Sequence, residues 1–106
     1  MPKIQTNDIQ MYYETYGEGE PLVLIAGFGT DHIMWYEVIE SLATDYQVIV
    51  FDNRGAGQTD VPEGPYSVEQ MADDVAALCQ ALNIENAYFV GSSMGGCMLQ
   101  SLAYRY

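Results

Sequence analysis

The stretch Ala87-Tyr88-Phe89-Val90-Gly91-Ser92-Ser93-Met94-Gly95-Gly96 decides the fold. Ala87 to Val90 is a short apolar run of the kind that fills a buried strand. From Met94 onward the apolar residues include Cys97, Met98 and Leu102, at helical spacing. The segment between them must therefore turn the chain from strand to helix within a few residues. Gly91-Ser92-Ser93-Met94-Gly95 fits the pattern G-x-S-x-G, which in that setting presents a serine at a sharp corner. Glycine is expected around the corner because a side chain would collide with neighbouring backbone, and Gly91, Gly95 and Gly96 would supply the clearance. Spacing selects Ser93 over Ser92 as the exposed hydroxyl. It would stand at the first turn of a helix, whose dipole favours developing negative charge.

Working back from this corner, Val48-Ile49-Val50-Phe51 and Leu22-Val23-Leu24-Ile25-Ala26 are uninterrupted apolar runs, as strands covered on both faces would be. Trp35, Val38, Ile39 and Leu42 fall at i, i+3, i+4 and i+7, which predicts a helix over about residues 31–44. Ser67 and Gln70 form a capping-box pattern ahead of a second helix carrying Met71, Val75, Leu78 and Leu82, with Asn83 as its stop. Residues 3–16 read as a β-hairpin turning at Asn7-Asp8, with Ile9, Met11 and Tyr13 on one face. Strands alternating with helices place the chain in the α/β class. The expected sheet has an antiparallel hairpin at its margin and three parallel strands joined by right-handed crossovers.

Two further segments belong to the same architecture. Ala26-Gly27-Phe28-Gly29 follows the first buried run, where flexible backbone would aim an amide at an oxyanion; the Phe28 N–H is the candidate donor, and a glycine loop that merely turns the chain is the alternative. The second donor would be the N–H of Met94, the residue after the serine. Asp52-Asn53-Arg54-Gly55-Ala56-Gly57-Gln58-Thr59-Asp60 is expected to be a structural loop, pinned by Arg54 to Asp52 or Asp60.

These segments, in this order, resemble the α/β-hydrolase superfamily from about residue 9 to the end of the chain. Within it, Gly29-Thr30-Asp31 followed by Trp35, the loop from Asp52 to Asp60, Gly64-Pro65-Tyr66-Ser67 and Ser93-Met94-Gly95-Gly96 resemble the branch of 3-oxoadipate enol-lactonases, cofactor-free haloperoxidase-type esterases and carbon–carbon bond hydrolases. Ala26 departs from the pattern, since many relatives have histidine there. The resemblance implies an α/β-hydrolase sheet truncated after the helix that follows Ser93, so residues 1–106 are read as one partial domain. It implies a serine hydrolase that cleaves carboxylic esters, lactones or similar acyl bonds through an acyl-enzyme at Ser93. Trp35 would line the substrate pocket or belong to the core. The triad acid and histidine would follow the serine in chain order. His32, the sole histidine, precedes it, at the start of a helix where it caps, lines the pocket or faces solvent. The chain alone is therefore expected to be nearly inactive, and its last strand to have an open edge through which copies self-associate. A second reading keeps the fold as a ligand-binding or regulatory module with little turnover.

Composition narrows the partners. Hydrophobic residues make up 49% and charged residues 17%, a globular balance. A formal charge of -12 repels nucleic acid and anionic lipid, and the resemblance implies a small acyl substrate as the partner. No cofactor is expected. Cys79 and Cys97 lack CxxC or Cys/His spacing for a metal and are expected to be reduced core thiols. No run approaches the roughly 18 apolar residues of a membrane span, and no apolar leader opens the chain, so a cytoplasmic location is expected.

Overall fold

The computed structural model describes residues 3–6, 8–27, 30–62 and 66–105. Strands β1 (Lys3–Thr6) and β2 (Ile9–Tyr16) form the antiparallel hairpin, with Thr6 opposite Ile9. Strands β3 (Glu20–Ile25), β4 (Tyr46–Phe51) and β5 (Tyr88–Gly91) complete a sheet of order β1-β2-β4-β3-β5. β4 is antiparallel to β2 and parallel to β3, and β5 is parallel to β3.

The unbroken apolar runs have a direct explanation in the pleat. Successive side chains of β3 and β4 point to opposite faces, and both faces are covered. On one, Val23, Ile25, Ile49 and Phe51 pack with Met71, Ala72, Val75 and Leu78 of helix α2 (Val68–Ala81) and with Met98 and Leu102 of helix α3 (Met94–Arg105). On the other, Leu22, Leu24, Val48 and Val50 pack with Ile39 of helix α1 (Tyr36–Leu42). α2 starts where the capping pattern places it, with the Gln70 amide donating to Ser67 Oγ at 3.0 Å. It stops at Asn83, whose φ of 60° is the left-handed turn that ends many helices.

Three expectations change. The single helix over 31–44 is a 3-10 turn, His32–Trp35, followed by the short α1, and Val38 is exposed rather than part of the buried stripe. The strand before the corner is not buried on both faces. Phe89 packs into the α2/α3 side, but Tyr88 and Val90 are 55% and 46% exposed because the two-turn α1 covers β3 and β4 and does not reach the sheet margin. Cys97 is an exposed thiol on α3, whereas Cys79 is half-buried, and burial pushes its thiol up. No helix among the described residues is long and apolar enough to cross a membrane.

Candidate active site

Ser93 occupies the corner between β5 and α3 with φ at 57°, in the left-handed region that a residue with a Cβ enters only under constraint, and it is exposed. The constraint comes from hydrogen bonds on both sides. The Ser92 amide donates to Ile25 O at 3.1 Å, extending the pairing with β3 by one residue, and the Gly95 and Gly96 amides donate to Ser92 O and Ser93 O at 2.8 and 2.9 Å. Room for so tight a turn is made by Gly91 and Gly95. A Cβ on Gly91 would stand 2.4 Å from Gly95 O, and one on Gly95 the same distance from Ile25 O. Gly96 does not share that role, since a Cβ there would meet only Gly91 O at an ordinary 3.8 Å.

Met94 is the first residue of α3, so its amide has no acceptor within the helix. It borders a cleft of about 560 Å³ between the end of β3 and the loop after β4, walled by apolar side chains including Ile33, Met34, Tyr66 and Met71. Gly27 forms the floor beside the corner. Phe28 lies outside the described residues, as do Gly29, Gly64 and Pro65. Trp35 is placed against the Leu22, Leu24 and Ile39 cluster and is not among the residues that wall this cleft. Its Nε1 is buried and has no partner among the described residues.

The loop after β4 is held differently from the sequence reading. Arg54 does not bond Asp52 or Asp60; it makes a two-pronged contact with buried Asp74 on α2, Nε to Oδ2 at 2.7 Å and Nη2 to Oδ1 at 2.8 Å, and reaches Asp8 at 3.0 Å. The Asp74 hydrogen bonds push the guanidinium further up, while burial pushes the Asp74 carboxyl up. Asp60 Oδ2 instead accepts from the Gln10 amide at 2.9 Å, and Asn53 Nδ2 donates to Ala26 O at 3.1 Å.

His32 was legible only as a lone histidine. It neither faces solvent nor lines the cleft: it is buried, with Nδ1 2.7 Å from Asp52 Oδ1 and Nε2 3.4 Å from Glu14 Oε2. Glu14 also accepts from the hydroxyls of Tyr12, Tyr16 and Tyr36. Burial pushes its carboxyl up, and these hydroxyls with the His32 ring pull it down further, below the ordinary glutamate value. The alternation of Tyr12, Glu14 and Tyr16 along β2 was the signal that these side chains share a face. The donor atoms of Asp31, His32 and Asp52 lie within 4.8 Å of one another, close enough to share a cation. The short contact between the ring and Asp52 accounts for two of the three without one.

Comparison with known proteins agrees with this architecture. Residues 20–106 match the family model described as alpha/beta hydrolase fold. The chain is 38% identical over 103 residues to a putative carbamate hydrolase, RutD, of Azorhizobium caulinodans, covering 97% of this chain and 39% of that protein. It is 36% identical over 105 residues to 3-oxoadipate enol-lactonase 2 of Acinetobacter baylyi, again covering 97% of this chain and 39% of the relative. The solved enol-lactonase from Burkholderia xenovorans superposes with a TM-score of 0.96 at 36% identity, covering 99% of this chain and 42% of that one. The chain thus spans about two fifths of the length of these relatives. With the strand order, the corner at Ser93 and these matches in agreement, the chain belongs to the α/β-hydrolase family.

Proposed function

We propose that the protein acts as a serine hydrolase on a carboxylic ester, lactone or similar acyl bond, with Ser93 as the nucleophile. The observation that carries this reading is the left-handed backbone of an exposed Ser93 between β5 and α3. A non-glycine residue is held there at a cost of about 1–3 kcal/mol, a strain that clusters at functional sites. Ser93 Oγ would attack the acyl carbon, and the Met94 and Phe28 amides would donate to the oxygen on which charge develops. The leaving alcohol or enol would depart to give an acyl-enzyme, which water then hydrolyses.

A serine hydroxyl is a weak nucleophile without a base within hydrogen-bond reach. Both nitrogens of His32 are turned toward Asp52 and Glu14, so the ring has none left to accept the Ser93 proton. On this reading the base comes from outside the described residues, which by themselves would turn over slowly. Relatives named as an enol-lactonase and a putative carbamate hydrolase support acyl chemistry of this kind. The test is intact-mass analysis after exposure to an activated aryl acetate. One acetyl group on Ser93, absent in Ser93→Ala, supports the reading; aryl acetate cleavage unaffected by Ser93→Ala overturns it. A soluble cytoplasmic enzyme with no cofactor is part of the same proposal.

A further inference from the structure

The Glu14–His32–Asp52 array lies outside the corner chemistry and joins buried His32 and Asp52 to a part-buried Glu14. Asp52 meets N–H donors at both of its oxygens. Its Oδ1 accepts from the His32 amide at 2.8 Å and lies 2.7 Å from His32 Nδ1, and its Oδ2 accepts from the Gln58 amide at 2.9 Å. With Oδ1 already accepting from the His32 amide, Nδ1 is placed to donate to the same oxygen. Glu14 accepts three phenol hydroxyls and is likewise an acceptor toward Nε2. The other titratable groups around the ring are Tyr12 of β2 and Tyr36 of α1, with ring centroids 4.9 and 5.5 Å away, and the adjoining Asp31.

Two largely buried carboxylates need a compensating positive charge. No ion pair among the described residues joins either of them to Lys or Arg, since Arg54 is committed to Asp74 and Asp8. His32 is the group left to supply it.

We infer that His32 is held as a doubly protonated imidazole between Glu14 and Asp52, and that it is a positioning residue for Thr30 and the 3-10 turn that leads into α1. The ring sits at the start of the 3-10 turn. Just before it, Thr30 folds back on Gly27, donating from its amide at 3.3 Å and from Oγ1 at 2.8 Å to Gly27 O. Gly27 in turn lies against Ser92, Ser93 and the Met94 amide. Thr30 and His32 are therefore held from two sides, by Gly27 lying against the corner and by a charge clamped to β2 and to the loop after β4. The positioning role rests on Ser93 and Met94 being the reacting groups; the charge state of the ring does not.

The test is 15N NMR of the histidine ring in the native chain at neutral pH. Both ring nitrogens are expected at protonated shifts, with two slowly exchanging ring protons, whatever the reactivity of Ser93. In His32→Gln, amide exchange at Thr30 and Met34 is expected to speed up about tenfold or more, the size of losing one hydrogen bond to a charged acceptor. The Ser93 and Met94 resonances are expected to shift with it. If His32→Gln does not fold, the same amides are compared between the native chain and Glu14→Gln, which removes one of the two carboxylates that hold the ring. A ring with one unprotonated nitrogen at neutral pH overturns the inference. So does displacement of a ring proton by equimolar Zn2+, which would make the cluster a metal site, or unchanged exchange at Thr30 and Met34.

Discussion

Gly27 and Ser93 are in direct backbone apposition: a Cβ on Gly27 would stand 3.2 Å from Ser93 Cβ and 2.9 Å from Ser92 O. The end of β3 thus forms the wall against which the corner is folded, and the absence of a side chain at 27 sets how closely the two segments approach. Gly27→Ala is expected to cost about 1–3 kcal/mol, because the nearest atom is backbone and cannot rotate away. Urea unfolding measures the loss, and acylation of Ser93 should fall further than stability accounts for.

The three glycines of the corner should separate. Gly91→Ala and Gly95→Ala each push a methyl group to 2.4 Å from a carbonyl oxygen and are expected to destabilise by about 3 kcal/mol or more, or to prevent folding. Gly96→Ala meets nothing closer than 3.8 Å and should gain up to about 1 kcal/mol from helix propensity. Thermal unfolding of the three variants compares them directly.

Strain at Ser93 can be read from two substitutions that both remove the hydroxyl. Ser93→Gly relieves the left-handed backbone and Ser93→Ala does not. The glycine variant is expected to be more stable than the alanine variant by about 1 kcal/mol in urea unfolding. Equal stabilities would mean that the backbone there is relaxed.

Arg54 and Asp74 are buried together, so removing one partner leaves the other without compensation. Arg54→Met is expected to cost about 3–5 kcal/mol in chemical denaturation. Asp8→Ala, at the exposed end of the same guanidinium, should cost less than about 1 kcal/mol.

The Glu14 cluster gives stability two pH limbs. The Glu14 carboxyl lies below its ordinary value, so its contribution is complete above the unfolded value and is lost as pH falls through the lowered folded one. The Tyr12 hydroxyl is pushed up to about 12, first by its hydrogen bond to Glu14 and then by burial. Its contribution is complete below the ordinary value of 10.0 and is lost as pH rises toward 12. Urea midpoints across pH should show both limbs, tyrosinate absorbance should show a late-titrating phenol, and Glu14→Gln should flatten the two together.

How much of this was visible beforehand depends on the range over which each residue acts. The corner, the strands and α2 follow from local pattern: two glycines beside a serine, apolar runs, and Ser67 placed three positions before Gln70. The partners of Arg54 and His32 did not follow, because Asp74 is 20 positions from Arg54 and Asp52 is 20 from His32. Nothing in a linear pattern distinguishes them from nearer acids, such as Asp60 for Arg54 and Asp31 for His32. Exposure of Val38, Val90 and Cys97 was misread for a related reason, since apolar periodicity marks a face but not whether another element covers it.

Fluorophosphonate labelling with imidazole supplied in solution as the base, followed by peptide mapping, tests the role of Ser93 most directly. The chain holds five serines, Ser41, Ser67, Ser92, Ser93 and Ser101. The adduct is expected on Ser93 alone and to vanish in Ser93→Ala; label spread evenly over the five, or seated on Ser92, would contradict a nucleophile at this corner.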